Sequence, residues 1–199
     1  MKGNGFKSRL LPVLRHVSRN PKELSEIISK NFGNLGNLFE SDIRKLKAIT
    51  KNDSASELLL VIATLASRKS TEEFKFGKRH TEEEIKNYLK GFYINAPVES
   101  VVIMSLDKEK KVIASDTVSD GTVNFSSVIP RQIIEKLAER GAEDFIMAHN
   151  HPGGVAEPSE SDVVSTLNLA TALEACGIHL KAHYVVAGGE CNEIKFQEK

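Results

Sequence analysis

Residues 144–154 of the chain, DFIMAHNHPGG, join an apolar run to a polar turn. The run from Phe145 to Ala148 predicts a buried strand, which places His149 and His151 where that strand ends. Residues two apart in an extended chain point the same way, so both imidazoles face one side and Asn150 faces the other. The Pro-Gly-Gly sequence that follows predicts a turn out of the sheet.

A carboxylate returns to the same place shortly afterwards. Ser159 is a good N-cap, so Asp162 lies in the first turn of the helix that begins there. Two neutral imidazole nitrogens and one carboxylate oxygen suit Zn²⁺, and three protein ligands leave the fourth tetrahedral position for water. We therefore predict a zinc site of the catalytic type, with His149, His151 and Asp162 as ligands.

Each part of this pattern also has a purely structural interpretation. A His-x-His pair at a strand end is often only hydrogen-bonded, and Ser159 with Asp162 forms a capping box whether or not a metal binds. The convergence of four such groups after one buried strand favours the metal site.

Composition limits the class of protein. The chain has 199 residues, 40% of them hydrophobic, which suffices for one full domain and a small one. Lys and Arg balance Asp and Glu at 27 each, so no global field attracts nucleic acid or anionic lipid. Two cysteines without a Cys-x-x-Cys motif indicate a reducing cytoplasm, and residues 1–19 resemble neither a signal peptide nor a membrane span.

The predicted secondary structure divides the chain into two parts. Residues 1–69 predict a small helical unit, with helices that begin near Asn20, Ser41 and Asp53. The charged segment 68–80 is the expected linker, and a capping box at Thr81 opens a helix of a second domain, residues 80–199.

The second domain mixes strands and helices. The predicted strands are residues 100–106, 111–118, 144–148, 178–187 and 194–196, and the predicted helices are residues 130–140 and 159–176. The first two strands form a hairpin. This order predicts an α+β fold, an α-β-α layered domain with a mixed, largely antiparallel sheet.

The quoted residues identify a family. The metalloprotease motif of JAB/MPN+ (JAMM) domains resembles His149-Asn150-His151-Pro152 followed by Pro158-Ser159 and Asp162. The His-Asn-His-Pro sequence is similar to that of the RadC branch of these domains. Glu99, His183 and the triplet Asp120-Gly121-Thr122 support the resemblance, which covers residues 80–199. The resemblance implies the layered fold of cytidine-deaminase-like and MPN domains. It also implies zinc on His149, His151 and Asp162, a water activated by Glu99, and a helping hydroxyl from Ser159.

Amide hydrolysis by a metal-bound water requires the same roles that the resemblance implies. A water activated by the metal needs an acceptor for its proton and a donor for the leaving amine, and one carboxylate outside the ligand set can be both. Glu99 is our candidate, although it lies 50 residues upstream of the first ligand and would otherwise be interpreted as a solvated residue at a strand edge. Ser159 is predicted to donate to the oxyanion of the tetrahedral intermediate.

The sequence departs from the family pattern at two positions. Gly153 replaces a usual Ser, which matters little in a turn, and Ala182 replaces an Asp that commonly precedes the residue aligned with His183. Without that carboxylate, we expect His183 to be a buried, hydrogen-bonded histidine.

The helical unit resembles a degraded helix-hairpin-helix unit. Residues 49–53, ITKND, stand where a hairpin of the Gly-hydrophobic-Gly type would offer backbone amides to a phosphate. A packing or interaction role is therefore favoured over DNA binding.

Three functions follow as hypotheses. The first is a cytoplasmic zinc hydrolase that cleaves an amide, peptide or isopeptide bond of a protein or peptide substrate. The second is a DNA-repair-associated accessory protein in which zinc is structural or vestigial, and the third is a non-catalytic MPN interaction module. No membrane partner is expected, and the oligomeric state is left open.

Overall fold

The computed structural model describes residues 3–120 and 129–196. The helices it contains are α1 (Gly3–Leu14), α2 (Pro21–Phe32), α3 (Leu35–Phe39), α4 (Ile43–Thr50), α5 (Asp53–Glu73), α6 (Glu82–Phe92), α7 (Ile129–Arg140) and α8 (Glu160–Glu174). The strands are β1 (Ser100–Leu106), β2 (Val112–Asp120), β3 (Asp144–Asn150), β4 (His179–Ala187) and β5 (Glu190–Glu193). Across these two ranges, no helix is long and apolar enough to cross a bilayer.

The strands form one five-stranded sheet in the order β2-β1-β3-β4-β5. Three pairings are antiparallel and β3 pairs with β4 in parallel, so the predicted mixed, largely antiparallel sheet is confirmed. The predicted hairpin is the β1–β2 pair.

The predicted last strand, residues 194–196, was wrong. Gly188 and Gly189 both have positive φ and make a two-residue turn directly after β4, so Ala187 pairs with Glu190 and β5 ends at Glu193. Turns of this kind need residues that tolerate positive φ, and two glycines supply them. The chain therefore reverses before the apolar residues that prompted the prediction.

Helices cover both faces of the sheet, which confirms the predicted α-β-α layers. On one face the sheet packs against α6 through a cluster that includes Tyr88, Leu89 and Tyr184. On the other face it packs against α7 and α8 through a cluster that includes Leu137 and Leu173. All seven residues of β3 are buried, as expected for the middle strand of a covered sheet.

The helical unit has a core of its own. Residues from α1, α2, α3, α4 and α5 form an apolar cluster that lies apart from the two clusters on the sheet. In the turn between α4 and α5, Lys51 takes up the left-handed conformation that a hairpin glycine would adopt, and the Asn52 side chain caps α5.

Two helices of this unit were not predicted. In α1 the apolar residues Phe6, Leu10 and Leu14 recur every four residues and are buried, a signal that was available in the sequence. The five-residue helix α3 is too short for periodicity to reveal.

The segment between the two parts is more ordered than a linker. Helix α5 runs through Arg68 to Glu73, Phe74 packs in the core beside α6, and Lys78 forms a β-bridge with Val112. The division into residues 1–69 and 80–199 as independent domains stays a prediction.

The helical unit docks against the sheet domain through close backbone contacts. Gly36 of α3 lies against the turn after β4, where an added Cβ would come within 1.9 Å of the Gly188 carbonyl carbon. At the α5–α6 crossing, the Ser67 hydroxyl donates to the Gly91 carbonyl oxygen at 2.8 Å.

The close approach at Gly36 gives a prediction. Gly36→Ala places a methyl group inside the Gly188–Gly189 backbone, and overpacking of this kind costs about 1–3 kcal/mol. We expect the free energy of unfolding in urea to fall by that amount. Gly5→Ala is the matched control because it is also helical and an added Cβ meets nothing within 4 Å. A Gly36→Ala protein as stable as the control would show that the docked arrangement is wrong.

Candidate metal centre

The three predicted ligands come together at one end of the sheet. His149 lies in β3 and is fully buried, His151 directly follows the strand, and Asp162 lies in the first turn of α8. Their ligand atoms all lie within 4.8 Å of one another, and within residues 3–120 and 129–196 this is the only such group of three or more.

The spacing of the three groups fits a tetrahedral ion. The His149 Nε2 atom lies 3.0 Å from His151 Nε2 and 3.5 Å from Asp162 Oδ1, and His151 Nε2 lies 3.4 Å from Asp162 Oδ2. Ligands at zinc–nitrogen and zinc–oxygen bond lengths in a tetrahedron are separated by about 3.3 Å. The side chains could therefore hold an ion with little movement.

A capping box aims the carboxylate. The Ser159 N–H and hydroxyl both donate to Asp162 Oδ2 at 2.7 Å, and the Asp162 N–H donates back to the Ser159 hydroxyl at 3.1 Å. Partial burial favours the neutral acid, but the hydrogen bonds that Asp162 accepts from Ser159 favour the anion, and the pKa of Asp162 lies well below its usual range. Asp162 is thus an anion at neutral pH, with Oδ2 held by the cap and Oδ1 directed at His149.

A chain of hydrogen bonds orients His149. The Thr166 hydroxyl donates to the Asp162 carbonyl oxygen at 2.6 Å, because a carbonyl can only accept. Its oxygen therefore accepts from His183 Nδ1 at 2.7 Å, which places the His183 proton on that nitrogen. His183 Nε2 then accepts from His149 Nδ1 at 2.8 Å. The Nε2 lone pair of His149 is left facing the other two ligands.

The state of His183 agrees with this assignment. It is fully buried in β4. Burial is the main cause that lowers the pKa of His183 well below the usual range, and the neighbouring His149 lowers it further. A neutral ring with one proton can donate at Nδ1 and accept at Nε2. The prediction of a buried, hydrogen-bonded histidine is confirmed.

The missing carboxylate at position 182 has little effect on this network. The Ala182 side chain packs in the cluster on the α6 face of the sheet, whereas His183 points to the opposite face. A carboxylate at position 182 would therefore lie away from the metal centre.

The loop after β3 fixes His151 in a similar way. Its Nδ1 donates to the Val155 carbonyl oxygen at 3.2 Å, which leaves Nε2 unprotonated in a neutral ring, and its backbone N–H donates to Val186 at 2.9 Å. Gly153 turns this loop with φ 72°, and Asn192 of β5 donates to the Ala156 carbonyl oxygen at 2.7 Å. Both histidines thus present Nε2 to the same point.

The predicted base, Glu99, lies at the same end of the sheet. It is exposed and directly precedes β1, in which Val101 pairs with His149. Glu99 lies one residue before β1, in the segment without regular structure that joins α6 to this strand. The structure brings the three candidate ligands and Ser159 together, and among the described residues Glu99 has no hydrogen bond or ion pair with them. The triplet at 120–122 that supported the resemblance extends outside the described residues.

The part of the chain that holds the candidate ligands is similar to a known family of domains. A model of the RadC-like JAB domain family matches residues 79–199. The chain belongs to this family. The matched range begins just before the capping box of α6 and contains the whole sheet and all three candidate ligands.

Relatives extend the similarity into the helical unit. The UPF0758 protein of Chromobacterium violaceum is 33% identical over 177 residues, which cover 88% of this chain and 79% of that protein. The UPF0758 protein of Vibrio atlanticus is 32% identical over 182 residues, which cover 90% of this chain and 80% of that protein. These names state no activity.

One part of the RadC-like site was not predicted from the sequence. Thr166 lies one helical turn after Asp162, so both side chains project from the same side of α8. That spacing was visible, but its meaning depended on His183, which lies 17 residues further on in another strand.

The hydrogen-bond chain gives a prediction for the protein stripped of metal. Thr166→Val keeps the shape of the side chain but leaves the His183 Nδ1–H buried without an acceptor, which costs about 1–3 kcal/mol. We expect a loss of that size in the free energy of unfolding, measured in urea with a chelator present. Thr166→Ser is the control, since it keeps the hydroxyl and should lose less. Equal stability of Thr166→Val and wild type would contradict the assigned chain.

Proposed function

We propose that this RadC-like protein is a zinc-dependent hydrolase of the metallopeptidase type, which cleaves an amide bond in a peptide or isopeptide substrate. The observation that carries the proposal is the convergence of His149, His151 and Asp162 at tetrahedral spacing, with both imidazoles held in the tautomer that binds a metal through Nε2. Membership in a family of JAB domains supports it.

The donor set favours zinc over magnesium and calcium. Two imidazole nitrogens and one carboxylate oxygen match catalytic zinc sites, whereas magnesium and calcium prefer sets made of oxygen. Three protein ligands leave one coordination position for solvent or substrate. That openness separates a catalytic site from a structural site, which usually has four protein ligands.

The residues around the ligands have distinct roles in the proposed reaction. Bound zinc would lower the pKa of a coordinated water and polarise the substrate carbonyl. Glu99 would accept the proton and pass it to the leaving amine. The Ser159 hydroxyl, which donates to Asp162 at 2.7 Å, would redirect its proton to the developing oxyanion.

The charge distribution favours a second candidate function for the helical unit. Residues 1–69 contain 13 Lys and Arg against 6 Asp and Glu, whereas residues 70–199 contain 14 and 21. A strongly basic unit attached to an acidic domain fits an anionic partner such as DNA, whose binding would weaken steeply with salt. In this alternative the sheet domain would be an accessory or interaction module, and loss of Glu99 would not affect its activity.

The hydrolase proposal is tested at Glu99. Glu99→Gln keeps the shape of the side chain but cannot accept a proton, so it should retain zinc and stability while turnover falls by about 10²-fold or more. Peptide and ubiquitin-like-conjugate libraries, screened with the wild-type protein, would supply the substrate for this assay.

Asp162→Asn is the contrasting variant. It weakens a ligand and should lose zinc along with turnover, so elemental analysis distinguishes it from Glu99→Gln. Wild-type turnover by Glu99→Gln would remove Glu99 from the mechanism. Equal zinc content in wild type and Asp162→Asn would remove the proposed ligand set.

A further inference from the structure

The residue between the two histidines makes an extensive set of contacts of its own. Asn150 is almost fully buried, and its side chain points away from the metal centre, as the sequence predicts. Its Oδ1 accepts from the Ser100 N–H at 2.8 Å and from the Ser100 hydroxyl at 3.3 Å. Its Nδ2 donates to the carbonyl oxygens of Ala96 at 3.2 Å and Val98 at 3.1 Å.

These bonds use the full capacity of the amide. A carboxamide has two N–H donors and two acceptor lone pairs, and all four are engaged here. Since backbone carbonyls can only accept, the Asn150 NH₂ group must face Ala96 and Val98, which fixes the orientation of the amide.

The partners of Asn150 bracket Glu99. The Val98 carbonyl immediately precedes it and the Ser100 N–H immediately follows it, in a segment between α6 and β1 without regular structure. Among the described residues, the Glu99 side chain has no hydrogen bond or ion pair of its own. Its position therefore depends on its backbone, and Asn150 holds that backbone on both sides.

We infer that Asn150 is a positioning residue. It holds the proposed base Glu99 at a fixed distance from His149 and His151, the proposed ligands that flank Asn150 in sequence. This inference rests on the proposed function. One residue of β3 thus links the ligand loop to the segment that carries the base, and the alternation of the strand places the link on the face opposite the ligands. Tyr93 reinforces it, because its hydroxyl lies 2.9 Å from the Ala148 carbonyl oxygen and 3.3 Å from that of Ser100.

The test measures where Glu99 lies and needs no substrate. Protein with ¹³C-labelled glutamate carboxylates is loaded with Co²⁺, and the Glu99 signal is assigned by its loss in Glu99→Gln. Paramagnetic relaxation falls with the sixth power of the distance from the metal. In Asn150→Ala we expect a several-fold weaker enhancement at Glu99, faster amide exchange at Ser100, and an unchanged Co²⁺ dissociation constant from chelator competition.

Asn31→Ala is the matched control. Asn31 also donates to a backbone carbonyl, that of Ile27 at 2.8 Å, but within α2 of the helical unit, so the Glu99 enhancement should stay at its wild-type value. If Asn150→Ala fails to fold by circular dichroism, Asn150→Ser replaces it with the same three expectations.

The outcomes separate this inference from the proposed function. Absence of Co²⁺ binding by the wild-type protein, or wild-type Glu99 showing no enhancement, would overturn the proposed function. A wild-type enhancement that persists in the folded Asn150 variant would overturn the positioning role alone.

Once a substrate is in hand, kinetics give a second readout. Misplacement of a catalytic group by about 1 Å costs up to about 10²-fold, so Asn150→Ala should lower kcat by about 10–100-fold with little change in KM. In a Glu99→Gln background the same substitution should have no further effect, because Asn150 acts through Glu99. Multiplicative losses would show that its role is general and structural.

Discussion

A fully buried imidazole must have both of its nitrogens satisfied, and the arrangement of the site depends on how His149 meets this requirement. One nitrogen donates to His183, and the other faces His151 and Asp162. An unpaired polar group at such a depth costs about 1–3 kcal/mol, so the network is part of the stability of the fold as well as of the site. Because β3 pairs in parallel with β4, His183 lies beside β3, where its Nε2 can accept a hydrogen bond from His149 Nδ1.

The same helix terminus contributes to both sides of this arrangement. The Asp162 side chain supplies a proposed ligand, and its backbone carbonyl ends the chain of hydrogen bonds that runs through Thr166 and His183. Ser159 caps the helix and holds the carboxylate. The first turn of α8 therefore sets the position of the Asp162 carboxylate and, through Thr166 and His183, the protonated nitrogen of His149. We expect substitutions there to affect metal affinity and stability together.

Local sequence predicted those features of the fold that local physics determines. Caps at Thr81 and Ser159 marked the starts of α6 and α8, and the apolar run before His149 marked β3. The three ligands were predicted because they lie within 14 residues of one another. The last strand was predicted at residues 194–196 but lies at Glu190–Glu193, because the Gly188–Gly189 turn reverses the chain directly after β4.

The unpredicted parts of the site depend on contacts between distant segments. Thr166 and His183 lie on different elements, and so do Asn150 and Ser100, which are 50 residues apart. No spacing rule connects such pairs, because only the sheet register brings them together. The strand placed Asn150 opposite the ligands, but its four partners could not be read from the sequence.

The proposed function requires one zinc ion bound between His149, His151 and Asp162. Anomalous diffraction from crystals grown with zinc, recorded on both sides of the zinc absorption edge, tests it directly. We expect one strong peak per chain about 2.0–2.2 Å from the Nε2 atoms of both histidines and from a carboxylate oxygen of Asp162. No peak there, or a peak bound by other side chains, would contradict it.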